Sequence, residues 1–97
     1  MLTGKQRSYL RTLANNIQPI FQVGKGGISD NMVKQFSDAL EARELIKATV
    51  LKNAESDTKM VCEEIAELTR SEIVQVIGSK FVLYKQAEKN SVIELPR

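Results

Sequence analysis

At 97 residues, 42% hydrophobic and 27% charged, the chain fits one globular domain and neither a disordered nor a fibrous class. No apolar run approaches the roughly 20 residues that cross a bilayer, and Met1 to Arg7 lacks the apolar stretch of a secretory signal. One cysteine, Cys62, cannot form an internal disulfide framework, and with no histidine the commonest general base and metal ligand are missing. The composition therefore points to a cytoplasmic, non-enzymatic protein without cofactor, metal or membrane contact, and a monomer is the default expectation.

The net charge of +2 is unevenly spread. Residues 1–52 carry eight Lys/Arg against four Asp/Glu, residues 53–97 six against eight, and no acid precedes Asp30. Polarisation of this kind marks either a face for a polyanion or a solvated helix surface.

In chain order, Thr3 caps a first helix running to about Asn16, with Leu10, Leu13, Ala14 and Ile17 on one apolar stripe. Pro19 prevents its continuation. Ile20-Phe21-Gln22-Val23 reads as a short strand ending in Gly24-Lys25-Gly26-Gly27. Ser29 caps a second helix whose inward face carries Met32, Val33, Phe36, Ala39 and Leu40, while Asp30, Lys34 and Asp38 can pair outside. Leu45 to Leu51 is a second strand, with Ile46, Ala48 and Val50 on one side and Leu45, Lys47, Thr49 and Leu51 on the other. Lys47 faces solvent or lies under a helix.

A polar connection leads to a third helix, about Asp57 to Arg70, with Thr58, Val61, Cys62, Ile65 and Leu68 inward and Glu63, Glu64 and Glu67 outward. Ile73 to Ile77 and Lys80 to Lys85 form a hairpin about Gly78-Ser79. The order α-β-α-β-α-β-β predicts an α/β domain over residues 2–87, a four-stranded mixed sheet with three helices. Each strand–helix–strand unit is expected to bring its two strands together as parallel neighbours. Residues 88–97 are expected to be a loose tail.

The feature with a mechanism is Gly24-Lys25-Gly26-Gly27. Three glycines let backbone approach a ligand, the helix that follows favours an anion, and Lys25 adds a positive charge. Neither the nucleotide P-loop nor the dinucleotide fingerprint is present. A Gly-x-x-Gly loop that clamps a nucleic-acid backbone fits, as does an unliganded strand-to-helix turn. In the first helix Arg7 and Arg11 lie four residues apart beside the apolar stripe, in line with Asn15 and kept shallow by Gly4 and Ser8. They suit phosphate contact or simple solubility. Lys5, on the outer side, is the weaker candidate.

Phe81 and Tyr84, at strand spacing, read as core rather than as base-stacking platforms. Cys62 reads as a small buried hydrophobe with no base to activate it. Lys34 reads as a surface-pair residue, and the three glutamates as an exposed acidic face.

Four segments in order, Leu2-Thr3-Gly4-Lys5-Gln6-Arg7, Val23-Gly24-Lys25-Gly26-Gly27, Ala39-Leu40-Glu41-Ala42-Arg43-Glu44-Leu45-Ile46-Lys47 and Val74-Gln75-Val76-Ile77-Gly78, resemble the CRM domain. More narrowly, they resemble its stand-alone bacterial YhbY-type RNA-binding form. The similarity spans about residues 2–85. It implies a fold similar to the C-terminal domain of translation initiation factor three. It also implies binding of RNA, for stand-alone members ribosomal RNA in precursors of the large subunit, whereas plant relatives with several such domains assist group II intron splicing. The family's Gly-x-x-Gly loop falls on Gly24, Lys25, Gly26 and Gly27, and its basic surface on Arg7 and Arg11. Gly26 departs from the family pattern, where many members carry a polar residue such as asparagine. A second class of function, docking on ribosomal proteins through the acidic third helix, is suggested by Glu63, Glu64 and Glu67.

Overall fold

A computed structural model describes residues 1–97. Seven elements follow the predicted order: α1 (Gly4–Ala14), β1 (Phe21–Val23), α2 (Asp30–Arg43), β2 (Leu45–Val50), α3 (Thr58–Thr69), β3 (Glu72–Ile77) and β4 (Lys80–Tyr84). The helix starts are set by side-chain caps. Thr3 accepts from the Gln6 amide while the Gln6 side chain returns to the Thr3 amide, a reciprocal capping box. Ser29 accepts from Met32 N and Asp57 from Met60 N.

The sheet order is β1-β2-β4-β3. β1 and β2 run parallel, with Phe21 opposite Ala48 and Val23 opposite Val50. The second strand–helix–strand unit departs from expectation. β3 is not a neighbour of β2, because β4 inserts between them and pairs antiparallel with both. Composition explains the placement. Phe81, Val82, Leu83 and Tyr84 are all buried, which only a central strand covered on both faces can achieve. β3 carries Glu72 and Gln75 and a register irregularity between Ile73 and Gln75, features suited to an edge. Gly78 takes φ +58, as the first residue of the two-residue turn requires.

The sheet separates two cores. α2 and α3 cover one face, where Val23, Phe36, Leu40, Ile46, Ala48, Val50, Val61, Cys62, Ile65, Ala66, Phe81 and Leu83 pack together. Phe36 is the hinge of this core, 4.3 Å between ring centroids from Phe21 and 6.2 Å from Phe81. α1 is the only helix on the other face, where Leu2, Leu10 and Ala14 pack with Leu45, Val74, Val82 and Tyr84 of the sheet. One inward assignment fails in α3: Leu68 is 53% exposed. Ala66 and Thr69 are buried instead, because α3 turns the side running through positions 62, 65, 66 and 69 to the sheet.

The final residues form no helix or strand but are not loose. Glu44, the residue after α2, is fully buried at φ 66, a left-handed conformation unfavourable for a residue with a Cβ. Its carboxylate accepts from Ala87 N (2.7 Å), Ser91 Oγ (3.0 Å), Val92 N (2.6 Å) and Ile93 N (2.7 Å). Its carbonyl accepts from Lys85 N. Glu41 accepts from Glu88 N and Lys89 N, and Gln6 Nε2 donates to Pro96 O. Ile93 and Leu95 then pack against the α1 core. The buried Glu44 carboxylate, with four of these bonds, is the centre of the contacts that tie the tail down.

Burial by itself would raise the Glu44 pKa, but the three backbone amides and the Ser91 hydroxyl outweigh it and hold the carboxyl below its ordinary value. Because the folded pKa lies below the unfolded one, this group stabilises the protein above the unfolded glutamate pKa of about 4.3. The contribution is lost as pH falls through the folded value. Glu44→Ala leaves buried amides unpaired and is expected to cost about 3 kcal/mol in urea unfolding at neutral pH. It should also accelerate hydrogen exchange at Ala87, Val92 and Ile93 and flatten the acid limb of the stability curve.

Candidate nucleic-acid interface

The glycine loop stands at the end of β1 because the parallel pairing stops there: Leu51 N donates to Val23 O as the last link. Within the loop Gly27 N donates to Gly24 O at 3.0 Å, closing a tight turn. The amides of Lys25 and Gly26 at its tip have no partner within the protein, and the Lys25 side chain is exposed. Gly27 has φ +69, whereas a Cβ at Gly26 or Gly27 would meet nothing within 4 Å. At Gly24 it would touch Leu51 Cδ1 at 3.4 Å and Asn53 Oδ1 at 3.5 Å. The loop therefore leans on the segment after β2, which also carries the exposed Lys52.

Ile28 and Ser29 separate the loop from α2. Ser29 already satisfies Met32 N, and Asp30 places a carboxylate in the first turn. The donors left free to meet an anion are thus the loop-tip amides and Lys25 rather than the first turn of the helix.

The arginines of α1 lie elsewhere. Arg7 is half-buried, and its Nε donates to Ile73 O of β3 at 3.3 Å, leaving the two terminal nitrogens of the guanidinium free. Arg11 is exposed and unpaired, as is Lys5. α1 packs on β2, β3 and β4 with Arg7 bonded to the β3 edge, whereas the glycine loop leaves β1 at the opposite edge of the sheet. Lys47 is withdrawn from any such surface: its Nζ donates to Ala14 O at 2.7 Å, under the C-terminal end of α1. No motif marked Lys52 as part of this region; only the packing of Gly24 against Asn53 reveals it.

The remaining candidates resolve into structure. Phe81 and Tyr84 are buried and offer no stacking face. Cys62 is fully buried, and burial, helped by the Glu63 charge, pushes its thiol up to about 12. Lys34 pairs with Asp38 at 3.1 Å on the surface. Glu63, Glu64 and Glu67 are exposed on α3, across the sheet from α1.

The sequence profile of the CRS1 / YhbY (CRM) domain matches residues 2–85. The chain belongs to this family. It is 56% identical over 96 residues to "Probable RNA-binding protein YqeI" of Bacillus subtilis, a match covering 99% of this chain and 100% of the relative. An "RNA-binding protein" of Haemophilus influenzae is 34% identical over 97 residues, covering 99% and 96%. Among solved structures, that of SAV1595 from Staphylococcus aureus, named there as "a putative RNA binding protein", superposes with a TM-score of 0.81. It is 60% identical and matches 99% of this CRM domain chain and 100% of its own. None of the helices here is long and apolar enough to cross a membrane.

Gly26 and Gly27 separate backbone conformation from space. Gly27→Ala is expected to lower stability by about 1 kcal/mol, since φ +69 disfavours any Cβ. Gly26→Asn, which meets open space at an ordinary φ, is expected to leave the urea midpoint within about 0.5 kcal/mol of the parent.

Proposed function

We propose that this protein binds RNA and associates in the cytoplasm, as a monomer, with precursors of the large ribosomal subunit, where it serves as an assembly factor. The observation that carries the proposal is the Gly24–Gly27 tip, with two unpartnered amides beneath an exposed lysine. Amides and ammonium together suit the oxygens of a sugar-phosphate backbone, and the open glycine surface lets that backbone come close. Arg11, the free end of Arg7 and the outlying Lys5 add cations on α1, and the relatives named as RNA-binding proteins support the same chemistry. The large-subunit assignment rests on the likeness to stand-alone family members. Capture is electrostatic, followed by clamping of the backbone at the loop; nothing in this mechanism calls for catalysis.

Binding of this type releases counterions and weakens steeply with salt. Replacing Lys25 and Arg11 together by alanine is expected to reduce the slope of log affinity against log salt by about 2. Co-sedimentation with large-subunit precursors should fall with it, while the thermal midpoint stays within a degree or two of the parent, since both side chains are exposed and unpaired. Undiminished association with the precursor particles would sink the site assignment.

A second reading has one observation in its favour. Met60 and Leu68 are exposed on α3 at 58% and 53%, in line with Glu64 and beside Glu67. That surface suits a basic segment of a ribosomal protein. It predicts that Glu64→Lys with Leu68→Ser releases the protein from precursor particles yet leaves affinity for protein-free ribosomal RNA unchanged.

A further inference from the structure

One side chain from each strand lines up across the part of the sheet that α1 leaves bare. The register sets Gln22 beside Thr49, Thr49 beside Lys80 and Lys80 beside Ile77. Their strand neighbours Phe21, Val23, Ala48, Val50 and Phe81 all belong to the α2–α3 core. By alternation the four therefore point to the α1 face. α1 stops short of them, packing on Leu45, Val74, Val82 and Tyr84 nearer the other end of the sheet. Gln22 and Lys80 are exposed, Thr49 is half-buried, and Ile77 is 61% exposed.

The row is bounded on two sides by the groups already assigned to phosphate contact. Two residues beyond Gln22 the glycine loop begins. On the side of α1, the tail occupies one flank, where Gln6 donates to Pro96 O and Leu13 and Ile93 line one hollow. The opposite flank, carrying Arg7 and Arg11, is left open. Arg7 is moored to Ile73, four residues before Ile77 on the same strand. From β1 to β3 the floor spans three strand spacings, roughly 14 Å. It contains no acid, and the acidic α3 lies on the opposite face.

We infer that this row is the floor on which an unpaired RNA segment lies between the glycine loop and α1. The inference rests on the RNA-binding reading above and narrows it to single-stranded nucleotides. Lys80 meets a phosphate, the amide of Gln22 and the hydroxyl of Thr49 face base edges, and Ile77 gives a base an apolar surface. An amide, a hydroxyl and an aliphatic patch on a flat floor match exposed bases, which a duplex keeps stacked inside. A lone cation in the row is also a poor match to the regularly spaced phosphates of a duplex.

Fluorescence anisotropy with a labelled 12-nucleotide RNA of mixed sequence, alone and annealed to its complement, tests the assignment. Lys80→Ala and Ile77→Ser are each expected to weaken single-strand binding roughly fivefold to tenfold, Lys80→Ala with a salt slope lower by about 1. Duplex binding should change less than twofold. In the unsubstituted protein, titration with the single strand should shift the amide resonances of Gln22, Thr49, Ile77 and Lys80, a readout independent of any variant's stability. Parental affinity in both variants with unmoved resonances would overturn the floor. If the Lys25 and Arg11 double variant still loses binding, the broader reading survives; if it too binds normally, that reading fails as well. Equal losses on single strand and duplex would overturn the restriction to unpaired RNA.

Discussion

The position of the glycine loop depends on the parallel pairing of β1 with β2. Three residue pairs, Phe21 with Ala48, Gln22 with Thr49 and Val23 with Val50, fix where the chain leaves the sheet and becomes the Gly24–Gly27 turn. The pairing is short, and side-chain burial supports it. Val23 is sealed in the core, and Phe21 packs with its ring tilted against Phe36 of the helix that follows the loop. The loop is thus anchored at both ends by the same core, while its tip keeps two amides unspent.

The division of the sheet into two faces decides the electrostatics. β4 takes the centre because it is apolar on both sides, and this sends β3 to the edge and leaves α1 as the sole helix on its face. Acidic α3 lies on the other face. A chain with a net charge of only +2 consequently keeps Lys25, Lys80 and Arg11 exposed away from the glutamates of α3. Glu44 contributes indirectly: by binding the tail it fills one flank of α1 and leaves the arginine flank free.

Much of this was legible in the sequence, for identifiable reasons. Caps at Thr3 and Ser29, the break at Pro19 and the Gly78-Ser79 turn are local signals, and each sits where the chain's own chemistry puts it. Strand order was not local: hydrophobicity of Phe81 to Tyr84 on both faces was visible, but nothing in adjacent residues says that β4 displaces β3 from β2. Leu68 misled because a helical stripe 100° wide admits two neighbouring solutions, and the sheet selected the one through Ala66 and Thr69. Glu44 and its partners are 43 to 49 residues apart, so no sequence spacing foretold a buried carboxylate. Gln22 and Thr49 belong to an assembled surface and carry no motif of their own.

The central claim, that the face shared by the glycine loop and α1 meets RNA, is tested most directly by ultraviolet crosslinking of the protein within isolated large-subunit precursor particles. Mass spectrometry then identifies the amino acids joined to RNA. Adducts are expected at Lys25 and Gly26 of the loop, at Arg11 and at Lys80. Adducts confined to α3, at Lys59 or around Glu63 to Glu67, would place RNA on the opposite face of the sheet and contradict the account.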